Sequence, residues 1–283
     1  RGVPLDAFNR NYKDSNHKPE IICALTPFTA MCGFCDSKLI ESNFLKLKSS
    51  VFKEKLQGLF EGDEEIQIKQ FFSTLMFLPD KDLTSLIDSA LIWAGNNSSI
   101  EGALIKKFSV LYKIDQGILA PLFLNIYSLK PGEALYQGPG ELHAYVEGTG
   151  IELMANSDNV LRGGLTPKHV DVDELIKVLN FKPSGKNILK PVKIKLGVFE
   201  YITPSNEFSL GYLQVEKNKL LEINNNKSIG ILLCISGNAV LNFSGGSFDI
   251  TKGDSLLIPA SLGSYTLDGS AEIFSAGIPG SGK

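Results

Sequence analysis

The chain contains two similar stretches, LKPGEALYQGPGELHAYVEG at residues 129–148 and ITKGDSLLIPASLGSYTLDG at residues 250–269. Aligned without gaps, both follow the order strand, Gly-Glu or Gly-Asp turn, strand, proline-containing turn, strand. Chance similarity is the alternative, because such turns are common between strands. Two copies of one β unit predict two β-barrels in tandem. The matched pairs are Gly132 and Gly253, Glu133 and Asp254, Leu135 and Leu256, Val146 and Leu267, and Gly148 and Gly269.

The two copies differ at one informative position, where His143 of the first faces Ser264 of the second. A lone histidine in a strand is more often structural than a ligand. His143, however, follows a Gly-Pro-Gly turn at the start of a strand, where its side chain could point into a barrel mouth and bind a metal. We therefore expect a site in the first barrel and a structural role for the second.

The organisation of the chain follows from its hydrophobic spacing. Residues 35–119 carry apolar residues at helical spacing, with Ser99 and Gly95 as start and stop signals, whereas the rest is rich in short strands. A short helix is expected near residues 173–179. The sequence predicts a mainly β protein with an all-α insertion. Its segments are residues 1–34, part of the first barrel; 35–119, a helical domain; 120–185, the remainder of the first barrel; and 186–283, the second barrel.

Composition excludes several classes of function. The chain has 283 residues, with 28 Lys and Arg against 31 Asp and Glu, a net charge of −3. Nothing in this balance predicts a nucleic acid or an anionic membrane as partner, since such partners select basic surfaces. The longest apolar run is too short to cross a bilayer, and no signal peptide is visible. The charge pattern gives no indication of oligomeric state.

Four cysteines are too few for a disulfide framework in a chain of this length, so we expect a reducing compartment and a cytoplasmic location. Cys32 and Cys35 have the two-residue gap of a redox or zinc motif. No second pair exists, and the apolar surroundings favour a helix rather than a strand-to-helix redox turn. The expectation is therefore buried free thiols.

The segment Asn16-His-Lys-Pro-Glu20 is polar and directly precedes the first apolar run. Pro19 biases Lys18 towards extended backbone, in which alternate residues share a face. Lys18 and Glu20 are therefore expected to point the same way. The alternative is a solvated charged loop, which is how we interpret the segment around His169.

Several of these motifs resemble the signature of the type I phosphomannose isomerase (mannose-6-phosphate isomerase) family. The resemblance covers the chain in order and implies tandem cupin (jelly-roll) barrels with a helical insertion. It also implies a Zn²⁺-dependent isomerase that interconverts mannose 6-phosphate and fructose 6-phosphate. The motifs are NYKDSNHKPE at 11–20, ALTPF at 24–28, CGF at 32–34, KPGE at 130–133, GELHAY at 140–145, MANSDN at 154–159 and RGGLTPK at 162–168.

The resemblance implies roles for six positions. It makes Glu20 and His143 zinc ligands, places Arg162, Lys18 and His17 among the catalytic residues, and makes Lys18, Tyr145 and Arg162 contacts of the sugar phosphate. Moving a hydrogen between two sugar carbons needs a base and a cation beside the enediolate oxygen. The base stays open between Lys18, His17 and a zinc-bound water, while the guanidinium of Arg162 suits phosphate or enediolate.

The chain departs from the family in one respect. The family supplies two further zinc ligands, a Gln and a His two residues apart, and this sequence has no Gln-x-His. Catalytic zinc sites usually take about three protein ligands. We therefore expect this chain alone to bind zinc weakly and isomerise poorly, with the missing segment in the native protein. Alternatives are a cupin-type sugar-phosphate-binding or regulatory protein without catalysis, and an enzyme for another hexose phosphate.

Overall fold

The computed structural model describes residues 12–185, 187–225 and 228–279. Residues 1–11, which open the first predicted segment, lie outside the described residues. The described chain forms two β units, with a set of helices inserted in the first. Within these ranges, no helix has both the length and the apolar character needed to span a bilayer.

The first β unit consists of two antiparallel three-stranded sheets that share a small apolar core. Its strands are β1 (Glu20–Ala24), β2 (Phe28–Phe34), β3 (Leu124–Leu129), β4 (Ala134–Gln137), β5 (His143–Glu147) and β6 (Gly150–Met154). The strand order is β4-β1-β6 in one sheet and β3-β2-β5 in the other. Ile22 and Leu135 of the first sheet are buried with Ala30 of the second. Side chains on these inner faces can therefore meet across the unit.

The helices lie between β2 and β3 in the sequence. They are α1 (Ser37–Leu45), α2 (Glu64–Met76), α3 (Asp80–Gly95) and α4 (Ile100–Leu111), with a fifth, α5 (Val172–Val178), after β6. A π-helical turn at Phe52–Leu56 is followed by 3-10 turns at Gln57–Leu59 and Gln116–Leu122. Ser99 caps α4 by accepting a hydrogen bond from the Gly102 amide, and α3 ends at Gly95. The predicted helical region and its start and stop signals are confirmed.

A cluster of buried phenylalanines joins the helices to the end of β2. The ring of Phe34 lies 5.4 Å from that of Phe72 in α2 and 5.4 Å from that of Phe181, measured between centroids. Phe123, which immediately precedes β3, contacts the rings of Phe34 and Phe72. Aromatic pairs at these separations contribute beyond their buried area. The cluster therefore fixes one end of the sheet that carries β5.

The second β unit is a sheet of eight strands. They are β7 (Val192–Lys195), β8 (Val198–Tyr201), β9 (Ser209–Val215), β10 (Leu221–Asn224), β11 (Gly230–Phe243), β12 (Gly246–Thr251), β13 (Ser255–Ile258) and β14 (Ser264–Gly277). The order is β12-β11-β14-β9-β8-β7, with β13 also paired to β11 and β10 to β14. Because β11 and β14 each pair with different strands at their two ends, the sheet folds around its own core.

The internal repeat is present in the backbone of both units. Gly132 and Gly253 occupy the same turn with φ of 84° and 98°, a region that favours glycine. The following acidic side chain, Glu133 or Asp254, then accepts a hydrogen bond from the amide three residues earlier, at 2.9 and 2.7 Å. This shared turn confirms that the similarity of the two stretches is structural. His143 opens β5 at the position where Ser264 opens β14.

The prediction of a helix around the cysteine pair is wrong. Cys32 lies in β2, which ends at Phe34, and Cys35 follows before α1 begins at Ser37. Six of the seven β2 residues are buried, so the strand lacks the polar alternation by which strands are recognised. The thiols themselves are buried and free, as expected.

Candidate functional site

The buried carboxylate of Glu20 is the centre of the candidate site. Glu20 is the first residue of β1, where Ile22 faces the core of the first unit. Ile21 and Cys23 face the opposite way, towards Tyr201 of the second unit. Glu20 therefore points inward, and its residue exposure is 7%. A carboxylate so far from solvent needs partners that compensate its charge.

Two cationic or basic side chains supply this compensation. Lys18 Nζ lies 3.1 Å from Glu20 Oε1, and His143 Nε2 lies 3.3 Å from Glu20 Oε2. Lys18 reaches Glu20 because residues two apart in an extended segment share a face, as predicted. Burial alone would raise the pKa of the Glu20 carboxyl, but hydrogen bonds and charge from His143 and Lys18 outweigh it and lower the pKa.

The orientation of His143 follows from the turn that precedes β5. Its Nδ1 lies 2.9 Å from the carbonyl oxygen of Glu141, and the Glu141 carboxylate accepts a hydrogen bond from the Gly138 amide. With Nδ1–H donated to this carbonyl, Nε2 is the ring nitrogen that faces Glu20. When protonated, Nε2 donates a hydrogen bond to the carboxylate, and in the neutral imidazole it offers a lone pair. Burial lowers the pKa of His143, but the Glu20 hydrogen bond and the Glu141 carbonyl raise it overall.

These two residues fit part of a zinc site. A carboxylate oxygen and an imidazole nitrogen, both common zinc ligands, converge from the two facing sheets. The second ring nitrogen of His143 is fixed by a carbonyl, the outer contact that metal-binding histidines usually make. Across the described ranges, no cluster of three or more His, Cys, Asp or Glu side chains could hold a metal ion. Glu20 and His143 therefore supply two ligands, fewer than a complete site needs.

Tyr145 lies beside His143 on the same strand face. The two ring centroids are 5.7 Å apart, and Phe28 packs edge-on against Tyr145 at 5.6 Å. Burial and the neighbouring Glu152 and Glu20 raise the pKa of Tyr145, so its hydroxyl stays protonated. The structure thus places the Tyr145 ring next to the imidazole of His143.

Arg162 lies in the segment between β6 and α5 and is half-buried. The next residue, Gly163, packs so closely against Leu142 that an added Cβ would lie 2.6 Å from it. The segment therefore runs beside the residue that precedes His143. Among the described residues, none forms an ion pair with Arg162.

His17 does not join the other predicted site residues. Its Nε2 lies 2.6 Å from Glu207 Oε1 in the second unit, and its side chain is 60% exposed. The reason is the same alternation that brings Lys18 to Glu20, since residue 17 points to the opposite side of the extended segment. The sequence analysis had no means of finding Glu207, which is 190 positions away.

A polar network that the sequence analysis did not identify connects two of the motifs. The Asp14 carboxylate accepts hydrogen bonds from Ser157 Oγ and the Asp158 amide, and Asn159 Nδ2 donates to the carbonyl of Asn16. Hydrogen bonding, first from the Asp158 amide, lowers the pKa of Asp14. The network ties the segment before Lys18 to the segment that leads to Arg162. Asp14 lies in the motif at residues 11–20 and Asn159 in the motif at residues 154–159, and this is the sequence signal that could have indicated them.

As the pH rises above neutral, we expect His143 to stabilise the metal-free protein less and zinc to stabilise the protein more. Glu20 has a lowered pKa and stabilises the fold above its ordinary value of 4.5, an effect lost as the pH falls through the lowered pKa. His143 has a raised pKa and stabilises fully below 6.5, an effect lost as the pH rises through the raised pKa. The ion pair of Glu20 with His143 therefore stabilises the metal-free protein most between pH 4.5 and pH 6.5. Zinc binding instead needs the neutral imidazole, which is found at higher pH.

The measurement is thermal unfolding between pH 6 and 9 with and without zinc. The difference in midpoint between metal-free wild type and His143→Asn should shrink as the pH rises, while stabilisation of the wild type by zinc should grow. His169→Asn, at an exposed position, is the matched control. A wild-type advantage over His143→Asn that stays constant across this range would contradict the assignment.

Two family models match the chain. They are "Phosphomannose isomerase type I, catalytic domain" over residues 3–37 and "Mannose-6-phosphate isomerase, cupin domain" over residues 198–276. The chain is 34% identical to mannose-6-phosphate isomerase of Escherichia coli K12 over 273 residues, which cover 95% of this chain and 68% of that protein. It is 32% identical to mannose-6-phosphate isomerase 2 of Arabidopsis thaliana over 266 residues, 89% of this chain and 60% of that protein.

Solved structures give the same likeness. A point mutant of phosphomannose isomerase from Salmonella typhimurium superposes with a TM-score of 0.89 at 31% identity, over 98% of this chain and 70% of that one. A mannose 6-phosphate isomerase with zinc bound superposes with a TM-score of 0.88 at 31% identity, with the same coverage. The chain spans about two thirds of the length of the curated relatives it matches.

Proposed function

The chain belongs to the mannose-6-phosphate isomerase family, and on that basis we propose that it takes part in zinc-dependent interconversion of mannose 6-phosphate and fructose 6-phosphate. The observation that carries the proposal is the convergence of Glu20 Oε2 and His143 Nε2, 3.3 Å apart, at the inner face of the first β unit. Both atoms are donors that zinc prefers, and both are already oriented by their neighbours.

The chemistry requires hydrogen transfer between C1 and C2 of the open-chain sugar. Zinc, when held by Glu20 and His143, would supply positive charge beside the sugar carbonyl. The chain's own residues bind and orient the substrate around that point. Arg162 offers a guanidinium that can take phosphate or the enediolate through two donors, and Tyr145 presents a hydroxyl on the same face as His143.

Lys18 is the side chain we propose for proton exchange with the sugar. It lies against Glu20 with 20% of its side chain exposed, so it is close to the site and partly shielded from water. A general acid or base must stand within hydrogen-bond reach of the proton it moves. His17 meets this requirement less well, because its imidazole is paired with Glu207.

The test is turnover of mannose 6-phosphate by the native-length protein, before and after zinc is removed with a chelator and restored. We expect fructose 6-phosphate to form with zinc and to disappear without it. A panel of other phosphorylated aldoses identifies the substrate. Binding of mannose 6-phosphate with no turnover in the zinc-loaded protein would instead indicate a sugar-phosphate-binding protein. The cytoplasmic location expected from the cysteines stays a prediction.

A further inference from the structure

We propose that Gln137 is a positioning residue of the candidate zinc site, whose side-chain amide donates a hydrogen bond to Glu20 when that carboxylate binds the metal. The inference rests on the proposed function, since it concerns the same site. Neither the motifs of the sequence nor the ion pairs of Glu20 point to Gln137. Two observations identify Gln137: it lies directly opposite Glu20 in the sheet, and its buried amide forms no hydrogen bond with the described residues.

The register of the sheet puts Gln137 directly opposite Glu20. Gln137 is the last residue of β4, and its cross-strand partner in β1 is Glu20. Two positions along this antiparallel pair, Leu135 of β4 faces Ile22 of β1, and both belong to the core between the two sheets. Because side chains alternate along a strand and directly opposed residues share a face, Gln137 points inward beside Glu20.

The amide of Gln137 is buried and has no hydrogen-bond partner among the residues that the structure describes. The residue is 1% exposed, and neither Nε2 nor Oε1 forms a hydrogen bond with any residue that the structure describes. Buried amides are nearly always hydrogen-bonded, because an unpaired one loses its contacts with water and gains none in return. A methionine or leucine of similar size would avoid that loss. An amide at this position is therefore explained if it gains a hydrogen-bond partner when the candidate zinc site holds a metal.

Glu20 has the accepting capacity that this partner needs. Its two oxygens each contact one side chain, Lys18 and His143, whereas an ionised carboxylate offers about four acceptor positions. If Glu20 and His143 held a metal, their direct contact would be lost, and the carboxylate would depend on neighbouring donors for its orientation. Gln137 is a cross-strand neighbour of Glu20, and its amide donates to none of the described residues. Outer hydrogen bonds to carboxylates that bind a metal fix their orientation.

The experiment compares Gln137→Met with wild type in the native-length protein. Zinc affinity is measured by competition with a chromophoric chelator, and thermal unfolding is measured on the metal-free protein. We expect Gln137→Met to weaken zinc binding by about 10- to 100-fold, the usual effect of losing such an outer contact. The metal-free midpoint should stay equal or rise, because the substitution removes an unpaired buried amide. Gln137→Leu should behave alike.

Leu135→Met is the matched control, since it changes an inward residue of the same strand without touching an amide and should leave zinc affinity unchanged. Wild-type zinc affinity in Gln137→Met would overturn the inference while leaving the proposed function intact. A lower metal-free midpoint in both Gln137 variants would also overturn it, because the amide would then be structural, bonded for example to a buried water. Failure of the wild type itself to bind zinc would overturn the proposed function.

Discussion

Glu20→Gln should reduce zinc affinity by more than about 100-fold and abolish isomerisation with it. Loss of an outer contact to a metal ligand already costs about 10- to 100-fold, and Glu20 is proposed to contact the metal itself. The amide of glutamine keeps the shape of the side chain but lacks the negative charge that attracts the cation. The substitution therefore isolates the charge of Glu20 from its volume.

The position of Glu20 makes the expected loss large. The carboxylate is almost fully buried, and its pKa is already lowered by His143 and Lys18, so it stays ionised for a cation across the neutral range. Few other groups could replace it, since the described residues contain no cluster of three or more potential ligands. Of the two ligands proposed among the described residues, only His143 would remain, and a zinc site that has lost one of its ligands binds the metal more weakly.

Zinc content after gel filtration and turnover of mannose 6-phosphate are the two readouts for this variant. Glu147→Gln is the matched control, because Glu147 ends the strand that begins with His143 but pairs with Lys107 at the surface. Exposed pairs of this kind contribute little, so the control should retain zinc and activity. Stoichiometric zinc in Glu20→Gln would show that Glu20 is not a ligand.

Local turn chemistry explains why much of the fold was predictable from the sequence. The turns at Gly132 and Gly253 each depend on a glycine with positive φ and on an acidic side chain that accepts a hydrogen bond from the amide three residues earlier. Both features belong to segments of a few residues. The helix starts and stops are local in the same sense. The β2 strand was mistaken for a helix because its burial on both faces removes the period that distinguishes the two.

The candidate site was predictable to the extent that its contacts are local or carried by a motif. Pro19 and strand alternation were sufficient to predict that Lys18 and Glu20 share a face. The contact of His17 with Glu207 depends on how the two β units meet, which no local pattern specifies. Gln137 was missed for a related reason: its importance lies in the register that sets it opposite Glu20, and register is a property of the paired strands.

Lys18→Met should lower kcat by about 10²- to 10⁴-fold, the usual contribution of a general acid or base. The reason is that Lys18 is the residue proposed to exchange the proton with the sugar. Zinc should remain bound, because Glu20 and His143 are intact. Lys18→Arg separates proton exchange from charge, since a guanidinium stays protonated and cannot pass a proton on. We therefore expect Lys18→Arg to be nearly as impaired as Lys18→Met.

His17→Asn is the matched comparison, because His17 adjoins Lys18 in sequence but contacts Glu207 rather than Glu20. It should change kcat only a few-fold. The measurements are kcat for mannose 6-phosphate, zinc content, and exchange of the substrate C2 hydrogen with deuterated solvent at one fixed pH for all variants. Loss of exchange in Lys18→Arg with zinc retained identifies Lys18 as the proton carrier. Wild-type exchange in Lys18→Arg, or its loss in His17→Asn, would instead assign the lysine to binding and reopen the choice of base.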